Sequence, residues 1–570
     1  MTKNLLKQSP SGLSPIAMAL AYTDWALHLA SSPARQWDLA RQAIALPAET
    51  AARLNAQKTA DAQPLDAQDH RFDDPAWARW PFNAFKETFQ ATEAWWDQAA
   101  QIEGMSAHHT HMMRFYTRQM LDALSPSNWA LSNPEVLKLG YATMGQSLRK
   151  GSQSLLKDLG KQWLTRLPGA HGVLAPLPYA VGQDVAVTPG KVVFRNSLIE
   201  LIQYAPTTST VAAEPLLIVP SCIMKYYILD LSPGNSMVRY LVDKGYTVFM
   251  VSWRNPDASD RDLGLEDYLQ TGVMEAMAAV REATGAARIH TLGYCLGGTF
   301  LSIAAAALDR NGAVAVQNKR MPQLASVTLL AALTDFTEPG EMGIFIDAEQ
   351  VKSLKAQMAE TGYLSGRQMA GTFQFLNARD LIWSRNTRRY LLGEDETGND
   401  MMSWNADVTR LPARMHSEYL EQLFLNNALA AGQFRFAGVG VALMDIKAPM
   451  LVVGTVRDHV CPWKSVYKVH LLTETDTTFI LAAGGHNAGI VSEPGHPRRS
   501  YQMAHRKQGD GWTDPSQWQA KASRHEGSWW ESLHRWLQTN SGKQVPARAI
   551  PPASSLCDAP GEYVMLRYAD

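Results

Sequence analysis

A chain of 570 residues is too long for one simple domain and leaves room for two to four structural units. Apolar residues make up 46% of it, and 53 Lys+Arg nearly cancel 54 Asp+Glu, so no long-range field recruits nucleic acid or an acidic membrane. The 4 cysteines, at 222, 295, 461 and 557, are too few for a disulfide scaffold.

The start, MTKNLLKQSPSG, lacks the apolar core and cleavage site of a signal peptide, and no apolar run reaches the length of a membrane span. A cytoplasmic protein with reduced thiols is expected. Residues 1–70 are Ala- and Gln-rich and read as a helical extension of short amphipathic helices. From RFDDPAW to about 175, apolar residues recur at three- and four-residue spacing, so 71–175 reads as a helical N-terminal domain. LPGAHGVLAPLPYAVGQ, rich in Pro and Gly, marks the joint to the next domain.

From 176 to 570 the texture is α/β. VVFRNSLIELIQYAP, PLLIVPSCI, YTVFMVSW, ARIHTLGY and ASVTLLAALTD read as strands. SPGNSMVRYLVDKG, with Ser232 or Asn235 near its start, GLEDYLQTGVMEAMAAVREATG and CLGGTFLSIAAAALDRNG read as helices. This alternation predicts a mainly parallel sheet covered on both faces. Residues 337–445 interrupt it with Met- and aromatic-rich helices, an inserted cap, before PMLVVGT and TTFILAAGG resume it. HPRRSYQMAHRK (496–507) reads as a solvated surface, and HHTH (108–111) as an exposed helical face, not a metal site.

The chemistry centres on LGYCLGG. Gly293-Tyr294-Cys295-Leu296-Gly297 has the form G-x-nucleophile-x-G between a strand and a helix, the strained turn of an α/β-hydrolase fold. The helix N-terminus favours thiolate at Cys295. Acid and base are expected after it in chain order: Asp458 follows the strand PMLVVGT, and His486 follows TTFILAAGG. His486 takes the thiol proton, and Asp458 holds its tautomer. The backbone N–H of Leu296, with one from Cys222 or Ile223 after LLIVP, forms the oxyanion hole. A thiol in place of serine suits thioesters, because thiol exchange keeps the acyl group activated for transfer to an alcohol. Cys461 stands beside the Asp458 loop, which leaves proximity to the site open, with packing the favoured role. No nucleotide fingerprint follows a strand, so no cofactor and no metal are expected.

With RFDDPAW, SPSNWALSNPEVL, TPGKVVFRNSLIELIQYAP, IMKYYILDLSPGNSMVRYLV, VSWRNPDAS, GYCLGG, RDHVCPW, GGHNAGIV, GSWW and APGEYV in order, the chain resembles the class I polyhydroxyalkanoate synthases from about residue 70 onward. The resemblance implies polymerisation of (R)-3-hydroxyacyl-CoA into polyester with release of CoA, the chain carried on Cys295 as a thioester. It also implies that His459 and Trp404 shape the site, and that the protein is a homodimer at cytoplasmic polyester granules. Three positions depart from the family: Met224 and Asn487 near the site, and Asn377, beside which Arg379 is expected to contact the CoA phosphates. The residues also admit a cysteine-dependent depolymerase, an acyl-CoA thioesterase, or a non-catalytic granule partner.

Overall fold

The computed structural model describes residues 15–56, 69–164, 177–310, 321–376, 378–395, 398–547, 549–552 and 555–568. Asn377 and most of the expected joint near 170 lie outside the described residues. The chain forms two compact units, residues 1–173 with 371–397, and residues 174–370 with 398–570. The expected cap is thus divided: 371–397 belongs with the helical residues, and the rest of 337–445 with the sheet.

The first unit is helical, with helices Pro15–Ala30, Pro33–Ala56, Phe82–Ala99, Ala107–Leu124, Pro134–Ala142 and Gln146–Leu164. Residues 15–56 and 69–164 fall in the same compact unit. Trp25 donates its indole N–H to the Ala99 carbonyl at 2.8 Å, and Trp95 donates to the Leu39 carbonyl at 3.0 Å. Leu39, Ala99 and Ile102 are buried in the core that these rings cover. His109, expected on an exposed face, bonds Asp24 at 2.6 Å, while Ser106 caps its helix by accepting the His109 N–H.

Arg71, its side chain only 3% exposed, is bound by Asp69, Glu93 and Asp122. Arg379 joins them, donating to Asp122 at 2.9 Å and Glu93 at 3.0 Å. Buried carboxylates need countercharge, and two guanidinium groups supply it. Arg379, which the sequence suggested for CoA phosphates, thus sits in this ion cluster.

The second unit is built on strands β1 Gly190–Arg195, β2 Ile199–Tyr204, β3 Leu216–Val219, β4 Val248–Trp253, β5 Arg288–Tyr294, β6 Gln323–Leu330, β7 Met450–Thr455, β8 Thr477–Ala482, β9 Ser500–Arg506, β10 Ser523–Glu526 and β11 Cys557–Asp558. They form one sheet in the order β10-β9-β8-β7-β6-β5-β3-β4-β2-β1-β11. The run from β8 to β4 is parallel, and the strands outside it are antiparallel. Every residue of β3 is fully buried, as a strand covered on both faces requires. The helix Leu296–Arg310 lies buried through its Ala304–Ala307 run, whose small side chains permit close approach.

Three local readings differ. VVFRNSLIELIQYAP is two strands, because the Asn196 side chain accepts the N–H groups of Leu198 and Ile199 and turns the chain. Ser236, not Ser232 or Asn235, caps the helix Met237–Asp243. The segment read as solvated surface at 496–507 contains β9, paired along its length with β8; its charged residues suit a strand near the sheet edge. The fold is otherwise the expected α/β-hydrolase type, with helices such as Ala348–Thr361 and Ala413–Glu418 inserted between β6 and β7.

Candidate active site

Cys295 sits where β5 ends and the following helix begins, with φ +53°. Left-handed backbone at a non-glycine residue is strained, and hydrogen bonds hold it in place: its N–H donates to the Leu330 carbonyl, and its carbonyl accepts from Gly298. The glycines around it are required by space. A Cβ at Gly293 would stand 2.4 Å from the Gly298 Cα, and one at Gly297 would stand 2.3 Å from the Val219 carbonyl oxygen.

Beyond β7, Asp458 Oδ1 accepts the N–H groups of Val460 and Cys461 at 2.9 and 2.8 Å. Its Oδ2 takes His486 Nδ1 at 2.8 Å, which leaves Nε2 for the thiol. The structure therefore brings Cys295, His486 and Asp458 together in one unit. It also brings Cys461, whose nearness to the site the sequence left open while favouring packing. The sulfurs of Cys295 and Cys461 and a ring nitrogen of His486 all lie within 4.8 Å of one another.

This grouping sets the charges. The Cys461 thiol donates to the Cys295 sulfur, and with the His486 charge and the Leu296 N–H it holds the Cys295 thiol well below the ordinary range, against burial. Burial opposes a charge on His486, but the Asp458 carboxylate and then Cys295 raise it well above the usual imidazole value. Both shifts favour the charged form, thiolate on Cys295 and imidazolium on His486. The same hydrogen bond, then burial, pushes the Cys461 thiol up, so it remains a donor.

The expected oxyanion loop adjoins this site across Gly297. Leu296 N–H faces the Cys295 sulfur, while Ile223 N–H donates to Ser221 Oγ at 3.3 Å. Cys222 is buried, and burial pushes its thiol up. Trp404 is 3% exposed and donates its indole N–H to the Lys225 carbonyl at 2.7 Å, bracing the loop from within the core. Thr409 donates to the carbonyls of Cys222 and Ile223. His459 is half-buried next to Asp458, its carbonyl accepting the Glu341 N–H.

A family described as "Poly-beta-hydroxybutyrate polymerase (PhaC) N-terminus" matches residues 68–241, and "alpha/beta hydrolase fold" matches residues 215–493. Residues 2–35, inside the stretch where the sequence carried no resemblance, match "Poly-beta-hydroxybutyrate polymerase N terminal". The chain is 38% identical to the poly(3-hydroxyalkanoate) polymerase of Methylorubrum extorquens over 93% of its own length and 86% of that protein's. It is 36% identical to a poly(3-hydroxyalkanoate) polymerase subunit of Rhizobium meliloti (strain 1021), covering 91% of this chain and 83% of that one. For the subunit of Cupriavidus necator the figures are 37%, 79% and 75%. The chain belongs to the poly(3-hydroxyalkanoate) polymerases. It is an enzyme of that polyester-forming family.

Two of this polymerase's departures now have partners. Asn487 accepts the Tyr294 hydroxyl at 2.6 Å, and the Tyr294 ring lies 5.6 Å from the His486 ring, so Asn487 fixes a wall of the site. Met224 forms an antiparallel bridge with Val408. Tyr419, in the insertion, also escaped the sequence reading. Burial, and then the Cys295 charge, hold its hydroxyl well above its usual pKa. For Cys461 a signal existed: it stands three residues after Asp458, where a carboxylate accepting the following amides curls the loop back.

Proposed function

We propose that this polymerase builds polyester from (R)-3-hydroxyacyl-CoA through a thioester on Cys295. The Cys295 thiolate attacks the acyl-CoA carbonyl, the Leu296 N–H accompanies the developing oxyanion, and the C–S bond to CoA breaks. His486 gives its proton to the departing CoA thiolate and becomes the neutral base. It then takes the proton of the 3-hydroxyl of a second acyl-CoA, whose oxygen forms the ester bond as the bond to Cys295 breaks. Asp458 keeps Nδ1 occupied throughout, so Nε2 performs both transfers.

The observation that carries this reading is the Cys295 sulfur gathered within 4.8 Å of the Cys461 sulfur and of the ring of His486, whose Nδ1 is bound by Asp458. A serine hydroxyl would not be ionised by such neighbours, whereas a thiolate is ready to exchange with a thioester. Work at a granule surface and homodimerisation belong to the same reading. The exposed Leu156, Leu159 and Trp163 on Gln146–Leu164 support contact with an apolar surface. Among the described residues no helix is long and apolar enough to cross a membrane.

The test is CoA release from (R)-3-hydroxybutyryl-CoA, with the acyl product weighed by mass spectrometry. Oligomers or polymer that vanish with Cys295→Ala support the reading. Free 3-hydroxybutyrate in their place would mean that water takes the acyl group, and the thioesterase reading would replace it.

A further inference from the structure

The acyl-transfer reading uses the Cys295 thiolate and the His486 imidazole but gives no covalent work to Cys461. Its position is nevertheless built. The Cys461 N–H is held by Asp458 Oδ1 at 2.8 Å, and its side chain is buried against the nucleophile. Two sulfurs and one imidazole nitrogen thus converge within 4.8 Å.

We propose that Cys295, Cys461 and His486 form an inhibitory zinc site, in which one Zn²⁺ takes both sulfurs and Nε2 and leaves a fourth position open. Zinc holds thiolate at about 2.3 Å and imidazole at about 2.0 Å in tetrahedral geometry, which places donor atoms roughly 3.5 Å apart. Donors already within 4.8 Å reach that spacing by small side-chain rotations. The His486–Asp458 bond at 2.8 Å supplies the outer carboxylate that fixes the ring tautomer of zinc-binding histidines.

The charges close as well. Binding forms two Zn–S bonds and one Zn–N bond, with both sulfurs bound as thiolates and the ring bound through an unprotonated nitrogen, so any protons held on those three atoms leave to water. Two thiolates then neutralise the ion, which suits a buried site. While the ion is bound, the sulfur lone pair that attacks and the nitrogen lone pair that accepts the proton are both occupied. Turnover stops, and a chelator restores it. The inhibitory half of the proposal rests on the acyl-transfer reading, whereas the binding half does not.

The experiment titrates chelator-washed, full-length enzyme with Zn²⁺ against a chromophoric competitor, and separately with Co²⁺ as a spectroscopic stand-in. One Zn²⁺ per chain and a thiolate-to-cobalt charge-transfer band are expected. Asp458→Asn should weaken zinc binding by about 10–100-fold, and Cys461→Val by more. CoA release should fall with stoichiometric Zn²⁺ and recover with chelator. No charge-transfer band in the unsubstituted protein would overturn the site, with no variant needed. Equal affinity in a Cys461→Val protein that melts like the parent would do so too. Tight binding without loss of turnover would overturn the inhibitory role and fault the acyl-transfer reading, leaving the site itself intact.

Discussion

The indole of Trp404 donates to the backbone carbonyl of Lys225 at 2.7 Å, and through that bond the insertion braces the loop that faces Cys295. Trp404 thus holds the backbone at Lys225 from a buried position. Trp404→Phe leaves a buried carbonyl without its donor, and such a loss costs about 1–3 kcal/mol. Denaturant unfolding should show a loss of that size. An unchanged midpoint would mean that the loop is held by other bonds, of which Thr409 supplies two.

In the proposed reaction His486 makes both proton transfers, and His486→Ala removes it. CoA release should fall by about 10²–10⁴-fold, the range for loss of a general base. A loss under tenfold would point to another base.

Cys461 donates to the Cys295 sulfur, and a donor to the thiolate favours its charged form. Alkylation of Cys295 by iodoacetamide should therefore stay flat through neutral pH and fall only in acid. In Cys461→Val that fall should move to higher pH, because the thiolate has lost a donor. Superimposable profiles would show that Cys461 does not act on the nucleophile.

Lys225 is buried with its ammonium against the carbonyls of Tyr563 and Leu566, at 3.3 and 2.7 Å. Burial, with Arg567 adding to it, lowers its pKa from 10.5 to about 8. The unfolded chain then holds a proton that the folded one has lost, so this group makes stability rise with pH between about 8 and 10.5. Relative to Lys225→Met, the parent should gain unfolding free energy across that window. A flat or falling difference would contradict the burial of its charge.

Arg71→Met removes one guanidinium from the cluster with Asp69, Glu93 and Asp122. Buried carboxylates left uncompensated cost about 3–5 kcal/mol. The first unit should melt at lower temperature in calorimetry, with the loss smallest at acid pH, where the carboxylates are protonated.

Much of the site was legible because its chemistry follows chain order. A strand, a turn that demands glycine and a helix mark Cys295 locally, and the two later strand ends mark Asp458 and His486. Steric need made the glycines informative, as the 2.3–2.4 Å approaches at Gly293 and Gly297 bear out. By contrast, β9 was missed because its charged residues read as surface, and the Asn196 turn because its two strands form one apolar run.

By itself the sequence determined the order of strands and helices and the nucleophile–acid–base series, because backbone turns and hydrophobic periodicity are local properties. Only the tertiary structure decided which side chains meet. It drew Arg379 into the cluster with Arg71, set Trp404 beneath the Lys225 carbonyl, and stood Cys461 beside Cys295. Those pairings lie far apart in the chain, and the physical reason for each is burial: a charge, a carbonyl or a thiol removed from water must find its partner wherever the fold brings one.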